Sequence, residues 1–223
     1  MVKIKRNKVL VVSAHPDDET LGVGGILLRH RDRGDDVYWV LFTYQMPGMY
    51  KKIVNLRRRY IDDIAGRFGM VNYWIGEFFS TELVNTDINR LLEFVEPIVK
   101  KIKPDIVYTV GPYDIHTDHK AVFNVMSVLS KPVYGVSQFY IYEIPSSTNW
   151  AIPWINQYKP LVYVDIEKYI EEKLEILSLF EDQIFPYPHA RSLEAVRAYA
   201  MYRGSSIGLK YAETLMPIRV IYT

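Results

Sequence analysis

The most informative segment of the chain is residues 8–25, which read KVLVVSAHPDDETLGVGG. Its first six residues contain a short, continuous apolar run rich in valine, residues 9–12, which predicts a strand buried on both faces. A polar cluster of one histidine and three acids follows at once, and the pattern at 20–33 then predicts a helix that ends near Gly34. A buried strand, a polar turn and a helix are the first part of a βαβ unit.

The alternation of apolar strands and periodic helices continues along the chain. Strands are predicted at 36–43, 72–75, 105–110, 138–144 and 161–166, and helices at 50–68, 87–102, 118–129, 169–180 and 193–202. A last strand at 218–222 is predicted to lie at an edge of the sheet. This order favours an α/β, Rossmann-like fold with a mostly parallel sheet flanked by helices. No linker-like segment divides residues 1–223, so we expect a single domain.

Composition narrows the classes of function. The chain carries 27 Lys and Arg against 26 Asp and Glu, a formal net charge of +1, so no broad basic surface predicts a nucleic-acid partner. It has no cysteine, which excludes disulfides, a thiol nucleophile and cysteine metal ligands. The apolar run near the start is only four residues long, too short for a signal peptide or a membrane helix. We therefore expect a cytoplasmic protein without membrane insertion.

A second polar cluster, His-Thr-Asp-His at residues 116–119, follows the predicted strand at 105–110. Three of the five histidines, His15, His116 and His119, thus lie just after two predicted strands. Ligands of open α/β sheets bind beyond the carboxyl ends of the strands, so we expect the two clusters to meet there. Two imidazoles and one carboxylate would hold a divalent cation and leave one position open for water.

An open site of this kind predicts hydrolytic chemistry, because a bound dication acidifies its water toward neutral pH. Asp17, beside Asp18, is placed to accept the proton of that water. The ligand types suit Zn²⁺, and Fe²⁺ accepts the same set. A structural interpretation competes with this one, since Asp17, Asp18 and Asp118 all lie near predicted helix starts, where aspartates serve as caps.

The segment HPDDETLGVGG, residues 15–25, resembles the signature of the LmbE-like, or PIG-L, family of de-N-acetylases. Residues 116–119 resemble the second motif of that family, usually His-Pro-Asp-His, and residues 203–205 with 211–213 resemble its C-terminal segment. The resemblance implies an LmbE-like, Rossmann-like fold and a zinc-dependent deacetylase. Its substrate would be an N-acetylglucosamine-type amino sugar or conjugate, and self-association into a homo-oligomer is implied as well.

Carried over by position, the resemblance implies a role for each polar residue of the first cluster. His15 and Asp18 would bind zinc together with His119 of the second cluster, and Asp17 would be the general base.

The resemblance also implies roles for the other residues of the second cluster. His116 would stabilise the tetrahedral intermediate and is a candidate to protonate the leaving amine, for which Asp118 or Asp114 would raise its pKa. Asp118 would also lie behind the metal and orient a histidine.

The chain departs from the family pattern at positions where relatives differ in substrate. The family pattern Arg-x-x-Glu becomes Arg57-x-x-Tyr60, and the family pattern His-x-Ser-Gln becomes Phe-Glu-Asp-Gln at 180–183. Arg57 belongs to a basic run, 57–59, which is typical of a solvated helix face. By position, however, Arg57 is a candidate to bind a carboxylate or phosphate of the substrate.

Two other functions compete with a zinc deacetylase. One is a non-catalytic Rossmann-type module that binds a nucleotide or sugar nucleotide at the glycines of residues 22–25, although their spacing is not Gly-x-Gly-x-x-Gly and also suits close helix–strand packing. The other is a metal-dependent phosphoesterase, which usually needs more carboxylates. Trp150, Trp154 and Tyr158 are candidates either to stack on a sugar ring or to bury a subunit interface.

Overall fold

The computed structural model describes residues 6–152, 154 and 157–222. The strands of this part are β1 Lys8–Ser13, β2 Asp36–Gln45, β3 Asn72–Phe79, β4 Ile106–Val110, β5 Gln138–Tyr142, β6 Val162–Asp165 and β7 Ala212–Val220. The helices are α1 Asp18–Arg33, α2 Lys51–Arg67, α3 Ile88–Ile102, α4 Thr117–Leu129, α5 Pro145–Thr148, α6 Ile170–Leu177 and α7 Leu193–Ser205. Within the described ranges, no helix combines the length and the apolar character that crossing a membrane requires.

The strands form one mixed, mostly parallel sheet in the order β3-β2-β1-β4-β5-β7-β6. The first five strands run parallel to their neighbours, and β7 runs antiparallel between β5 and β6. The valines of β1 are fully buried, as expected for a strand in the middle of a sheet that is covered on both faces. The predicted α/β fold with a mostly parallel sheet is confirmed.

The C-terminal strand corrects one prediction. It spans Ala212–Val220 rather than 218–222, and it is not an edge strand, because Leu215 pairs with Tyr142 of β5 on one side and with Val162 of β6 on the other. The short strand β6 forms the edge instead. Polar residues at the start of β7 concealed it in the sequence, since they are buried only because long-range partners satisfy them.

The winding of the sheet reverses between β1 and β4, which brings the two polar clusters together. Strands β2 and β3 extend the sheet on one side of β1, and β4 and β5 extend it on the other. Val12 pairs with Thr109 near the carboxyl ends of β1 and β4. The connections that leave these two strands diverge at such a switch point and open a crevice between them.

Two glycines allow α1 to pack closely on its neighbours. A Cβ atom on Gly22 would lie 2.2 Å from a ring carbon of Tyr142, and one on Gly25 would lie 2.6 Å from the side chain of Ile166. Both distances are too short for carbon atoms that are not bonded to each other, so a side chain at either position would force its neighbour to move. The glycines that follow the first polar cluster therefore serve close packing of the helix.

The buried ion pair of Glu213 and Lys173 forms hydrogen bonds with backbone groups of α1 at the point where the helix is interrupted. Val23 has non-helical φ and ψ of −139° and 19°. The carboxylate of Glu213, on β7, accepts the N–H groups of Gly25 and Ile26 at 2.8 Å each. Lys173, on α6, donates to the same carboxylate at 2.7 Å. The helix that begins at the polar cluster is thus held by residues far along the chain.

Candidate metal centre and active-site cavity

The crevice between β1 and β4 holds three converging donor groups. His15 Nδ1 lies 3.3 Å from His119 Nε2. Asp18, in the first turn of α1, places Oδ1 3.4 Å from His119 Nε2 and Oδ2 3.7 Å from His15 Nδ1. Backbone N–H groups of Ala14 and His15 donate to Oδ2 of Asp18, so the carboxylate cannot rotate freely and Oδ1 faces the histidines.

These separations fit a small divalent cation. Ligands ~2.0–2.1 Å from a tetrahedral zinc ion lie ~3.3–3.4 Å from one another, close to the distances observed. Two neutral imidazoles and one carboxylate are also a ligand set that zinc accepts. The residues present therefore fit zinc, and the chemistry of the donors fits Fe²⁺ as well.

The third histidine of the region offers an alternative ligand set. Single nitrogens of His15, His116 and His119 all lie within 4.8 Å of one another. His116, however, is the N-cap of α4 and uses Nδ1 to accept the N–H of Asp118 at 3.3 Å. This bond leaves only Nε2 for other contacts. The shorter distances favour Asp18 as the third ligand.

Two outer carboxylates orient the histidines. Asp118 Oδ2 lies 2.9 Å from His15 Nε2 and also accepts the N–H of Thr81. Asp114 forms a short hydrogen bond with Nδ1 of His119. When a metal is bound, each imidazole that donates its proton to such a carboxylate would turn an unprotonated nitrogen toward the centre, and this is the arrangement that a metal requires.

The pKa values of the central residues show that the region favours positive charge. Burial alone would lower the pKa of His119, but the carboxylates of Asp18 and Asp114 raise it to about 10. Burial alone would raise the pKa of Asp18, but His119 and His15 hold it far below its ordinary value. Carboxylates that stay ionised in a buried site stabilise a cation at this point.

Asp17 differs from its neighbour in both backbone and environment. Its φ and ψ of 113° and −27° lie in the left-handed region, which is strained for a residue with a Cβ atom. Asp17 occupies the N-cap position of α1, as the structural interpretation expects, but its side chain makes no capping hydrogen bond to the helix. Its carboxylate instead bonds to the guanidinium of Arg191 at 3.0 Å. Burial raises the pKa of Asp17 to about 6, although Arg191 opposes the shift.

His116 does not have the raised pKa that the sequence predicts. Burial, together with the nearby rings of His15 and His119, lowers the pKa of His116 to about 4. The two aspartates that were expected to raise this pKa form their side-chain bonds with the other two histidines. His116 is therefore a neutral imidazole near pH 7.

A cavity of about 310 Å³ opens beside His15 and His116. Arg57 lines it and is buried, so the prediction of a solvated helix face is wrong for this arginine, although Arg58 and Arg59 are exposed. The other lining residues are Pro16, Met46, Ser80, Thr81, Asp182, Gln183, Phe185 and Arg191.

Sequence reasoning missed two charged residues of the cavity. Asp182 bonds to Arg57, and its only signal in the sequence was that it stands where relatives carry serine. Arg191 lies just before α7 and bonds to Asp17, to Gln183 and to Ser146. No local pattern marks Arg191, because it reaches the site only through the fold.

The C-terminal motif and the aromatic segment lie outside the metal centre. Arg203 forms an ion pair with Glu143 at 2.6 Å. Tyr158 is held by a hydrogen bond to the carbonyl of Thr214 at 2.8 Å, which suits an anchor better than a sugar-stacking platform. Trp154 is largely exposed, and Trp150 packs edge-on against His189 with ring centroids 5.5 Å apart.

Comparison with known proteins gives a consistent picture. A family model described as PIG-L, GlcNAc-PI de-N-acetylase, matches residues 10–129, a range that includes both polar clusters. Diacetylchitobiose deacetylase of Thermococcus kodakarensis is 29% identical over 220 residues, which cover 92% of this chain and 81% of that protein. A probable N-acetyl-alpha-D-glucosaminyl L-malate deacetylase of Bacillus cereus is 26% identical over 123 residues, 51% of this chain and 56% of that protein.

The fold is also shared with a solved deacetylase. The structure of N,N'-diacetylchitobiose deacetylase from Pyrococcus horikoshii superposes with a TM-score of 0.75 at 22% identity and covers 95% of this chain and 84% of that one. At this level of identity the similarity establishes the fold alone.

Proposed function

This chain belongs to the PIG-L family of GlcNAc-PI de-N-acetylases, and from that premise we propose that it hydrolyses the acetamide of an N-acetylglucosamine-type sugar at a metal centre formed by His15, Asp18 and His119. The products are acetate and a free amino sugar. Deacetylation of this substrate type follows from the family and from the chitobiose deacetylase relative. The metal and the residue roles are the proposed part.

One observation carries the proposal. Three side chains from two loops about a hundred residues apart converge, so that each pair of them places donor atoms 3.3 to 3.7 Å apart. Two further carboxylates orient the two histidines among them. A cluster of aspartates that served only as helix caps would not need this convergence.

A bound zinc ion would supply an acidified water and polarise the acetyl carbonyl. Asp17 accepts a proton from the attacking water, and its burial, which raises the pKa of the carboxylate above the ordinary value, strengthens it as a base. Arg191 holds the carboxylate of Asp17 in place. As the carbon–nitrogen bond breaks, Asp17 returns the proton to the departing amine.

His116 acts as a neutral hydrogen-bond donor in this scheme. Since Nδ1 accepts the N–H of Asp118, the ring carries its proton on Nε2. That N–H donates to the acetyl oxygen as negative charge develops on it. Loss of one such donor typically costs roughly 3–4 kcal/mol of transition-state stabilisation.

The non-catalytic nucleotide-binding alternative is not favoured. A phosphate at the glycine-rich turn would need free backbone N–H groups, but Glu213 accepts those of Gly25 and Ile26. The family match also favours an enzyme over a binding module. Cytoplasmic location and homo-oligomer formation stay predictions.

The direct test measures primary amine and acetate released from N,N'-diacetylchitobiose and from N-acetylglucosamine, with phosphate release from phosphoesters as the comparison. We expect equal amounts of amine and acetate and no phosphate. A chelator should abolish release, and added Zn²⁺ should restore it. Metal analysis of protein purified without added metal separates zinc from iron. Activity that survives complete removal of metal would refute the proposed centre.

A further inference from the structure

Among the described residues that line the cavity, Arg57 is the one buried arginine, and a carboxylate already neutralises its charge. Its Nε and Nη2 atoms both lie 2.7 Å from Oδ2 of Asp182. Nη1 donates to the carbonyl of Tyr44 at 3.2 Å. The other oxygen of Asp182 accepts the hydroxyl of Tyr60 at 2.9 Å. The Nε and Nη2 edge of the guanidinium is therefore already paired with a carboxylate, and its positive charge is neutralised before any substrate binds.

Arg191, the second cation of the cavity, is also paired with a carboxylate. Arg191 bonds to the carboxylate of Asp17 at 3.0 Å, to Gln183 Oε1 at 2.9 Å and to Ser146 Oγ at 3.0 Å. Among the described residues that line the cavity, the remaining ones bear no lysine, arginine or acidic side chain. The charges around the cavity mouth thus cancel in pairs.

This pairing disfavours an anionic substrate. A carboxylate or phosphate that enters the cavity loses water and needs an unpaired positive charge in return, and both cations of the cavity are already paired. Sugar hydroxyls, in contrast, need only neutral partners, and Thr81, Ser80 and Gln183, which each keep further hydrogen-bonding capacity, line the cavity.

We propose that Asp182 sets the substrate class, so that the enzyme selects uncharged amino-sugar glycosides over those with an anionic aglycone. This inference rests on the proposed deacetylase function. Asp182 acts by holding the charge of Arg57, and the uncharged class includes N-acetylglucosamine oligosaccharides. Sugar conjugates with malate or phosphate belong to the disfavoured class.

The test compares kcat/KM for N,N'-diacetylchitobiose and for N-acetylglucosaminyl malate. The wild-type protein should prefer the uncharged substrate by at least about tenfold. Asp182→Asn should reduce this preference at least about fivefold, mainly through a lower KM for the malate conjugate, because Arg57 is then free to pair with a carboxylate. Glu181→Gln is the matched control, since it removes the same charge from an exposed neighbour and should leave the preference unchanged.

A binding measurement separates this inference from the proposed function. Phenyl β-glucoside and 4-carboxyphenyl β-glucoside lack an amide and differ by one carboxylate on the aglycone, and saturation-transfer NMR on the full chain should show tighter binding of the uncharged glucoside. Turnover of both substrates without preference would overturn the inference and leave the deacetylase intact. No turnover of either substrate would overturn the function, whereas the binding preference would still support the role of Asp182. Asp182→Ser is a second neutral variant if Asp182→Asn does not fold, and a preference unchanged in both neutral variants refutes the role.

Discussion

Replacement of Glu213 by glutamine should destabilise the protein more than any surface charge change of the same kind. Glu213 and Lys173 are both 3% exposed in their side chains. Together they satisfy the backbone groups that the break in α1 leaves unpaired, because Lys173 also donates to the carbonyl of Leu21 at 2.9 Å. Glu213→Gln leaves Lys173 without a counter-charge and one N–H of the helix without an acceptor.

The expected magnitude follows from burial. Removing one partner of a buried ion pair costs roughly 3–5 kcal/mol, and we expect about 3 kcal/mol because glutamine keeps one of the two oxygen acceptors. For a chain of this size each kcal/mol lowers Tm by about 2–4 °C, so Tm should fall by roughly 6–12 °C.

Urea unfolding followed by circular dichroism, together with thermal melting, measures the change. The matched control is Glu167→Gln, which breaks an ion pair of similar length, 2.8 Å to Lys210, between side chains that are 53% and 64% exposed. This control should cost less than about 1 kcal/mol. If both variants lose the same small amount of stability, Glu213 does not repair the helix and the reasoning is refuted.

Three further predictions concern the site and its surroundings. Asp17→Asn should retain the bound metal and lower kcat by at least about 10²-fold, because a positioned general base contributes ~10²–10⁴. Asp114→Asn should weaken metal affinity about 10–100-fold in a competition with a chelator, because that carboxylate orients a histidine ligand. Burial alone would raise the pKa of Asp35, but the Asn7 N–H and His30 hold it below its ordinary value. Since the native pKa is depressed, the stability that Asp35 adds relative to Asp35→Asn should be complete above about pH 4 and shrink on further acidification.

Each of these outcomes has a clear opposite. Metal lost from Asp17→Asn would mean that Asp17 is itself a ligand. An unchanged metal affinity in Asp114→Asn would show that the histidine is oriented by other contacts. A stability difference between the Asp35 variant and the wild type that grows as the pH falls below about 4 would contradict the depressed pKa.

Local patterns in the sequence were sufficient to predict the fold class and the residues of both polar clusters. The spacing of hydrophobic residues is a property of short segments. A valine-rich run followed by HPDDE therefore predicts a buried strand with polar, reactive side chains directly after its carboxyl end. The reversal of winding beside β1 then brings His15 and His119 together, as expected from the general behaviour of open α/β sheets.

Only the tertiary structure decided how the charges pair. Arg57 pairs with Asp182, which lies 125 residues further along the chain. Asp17 pairs with Arg191, which lies 174 residues further along. The pKa of His116 likewise depends on which aspartate reaches which ring, and the place of β7 depends on buried partners for Glu213. The strength of an electrostatic interaction depends on the distance between the two groups in space and on the exclusion of water around them. Neither of these quantities produces a regular pattern in the sequence, so the sequence cannot predict the partners.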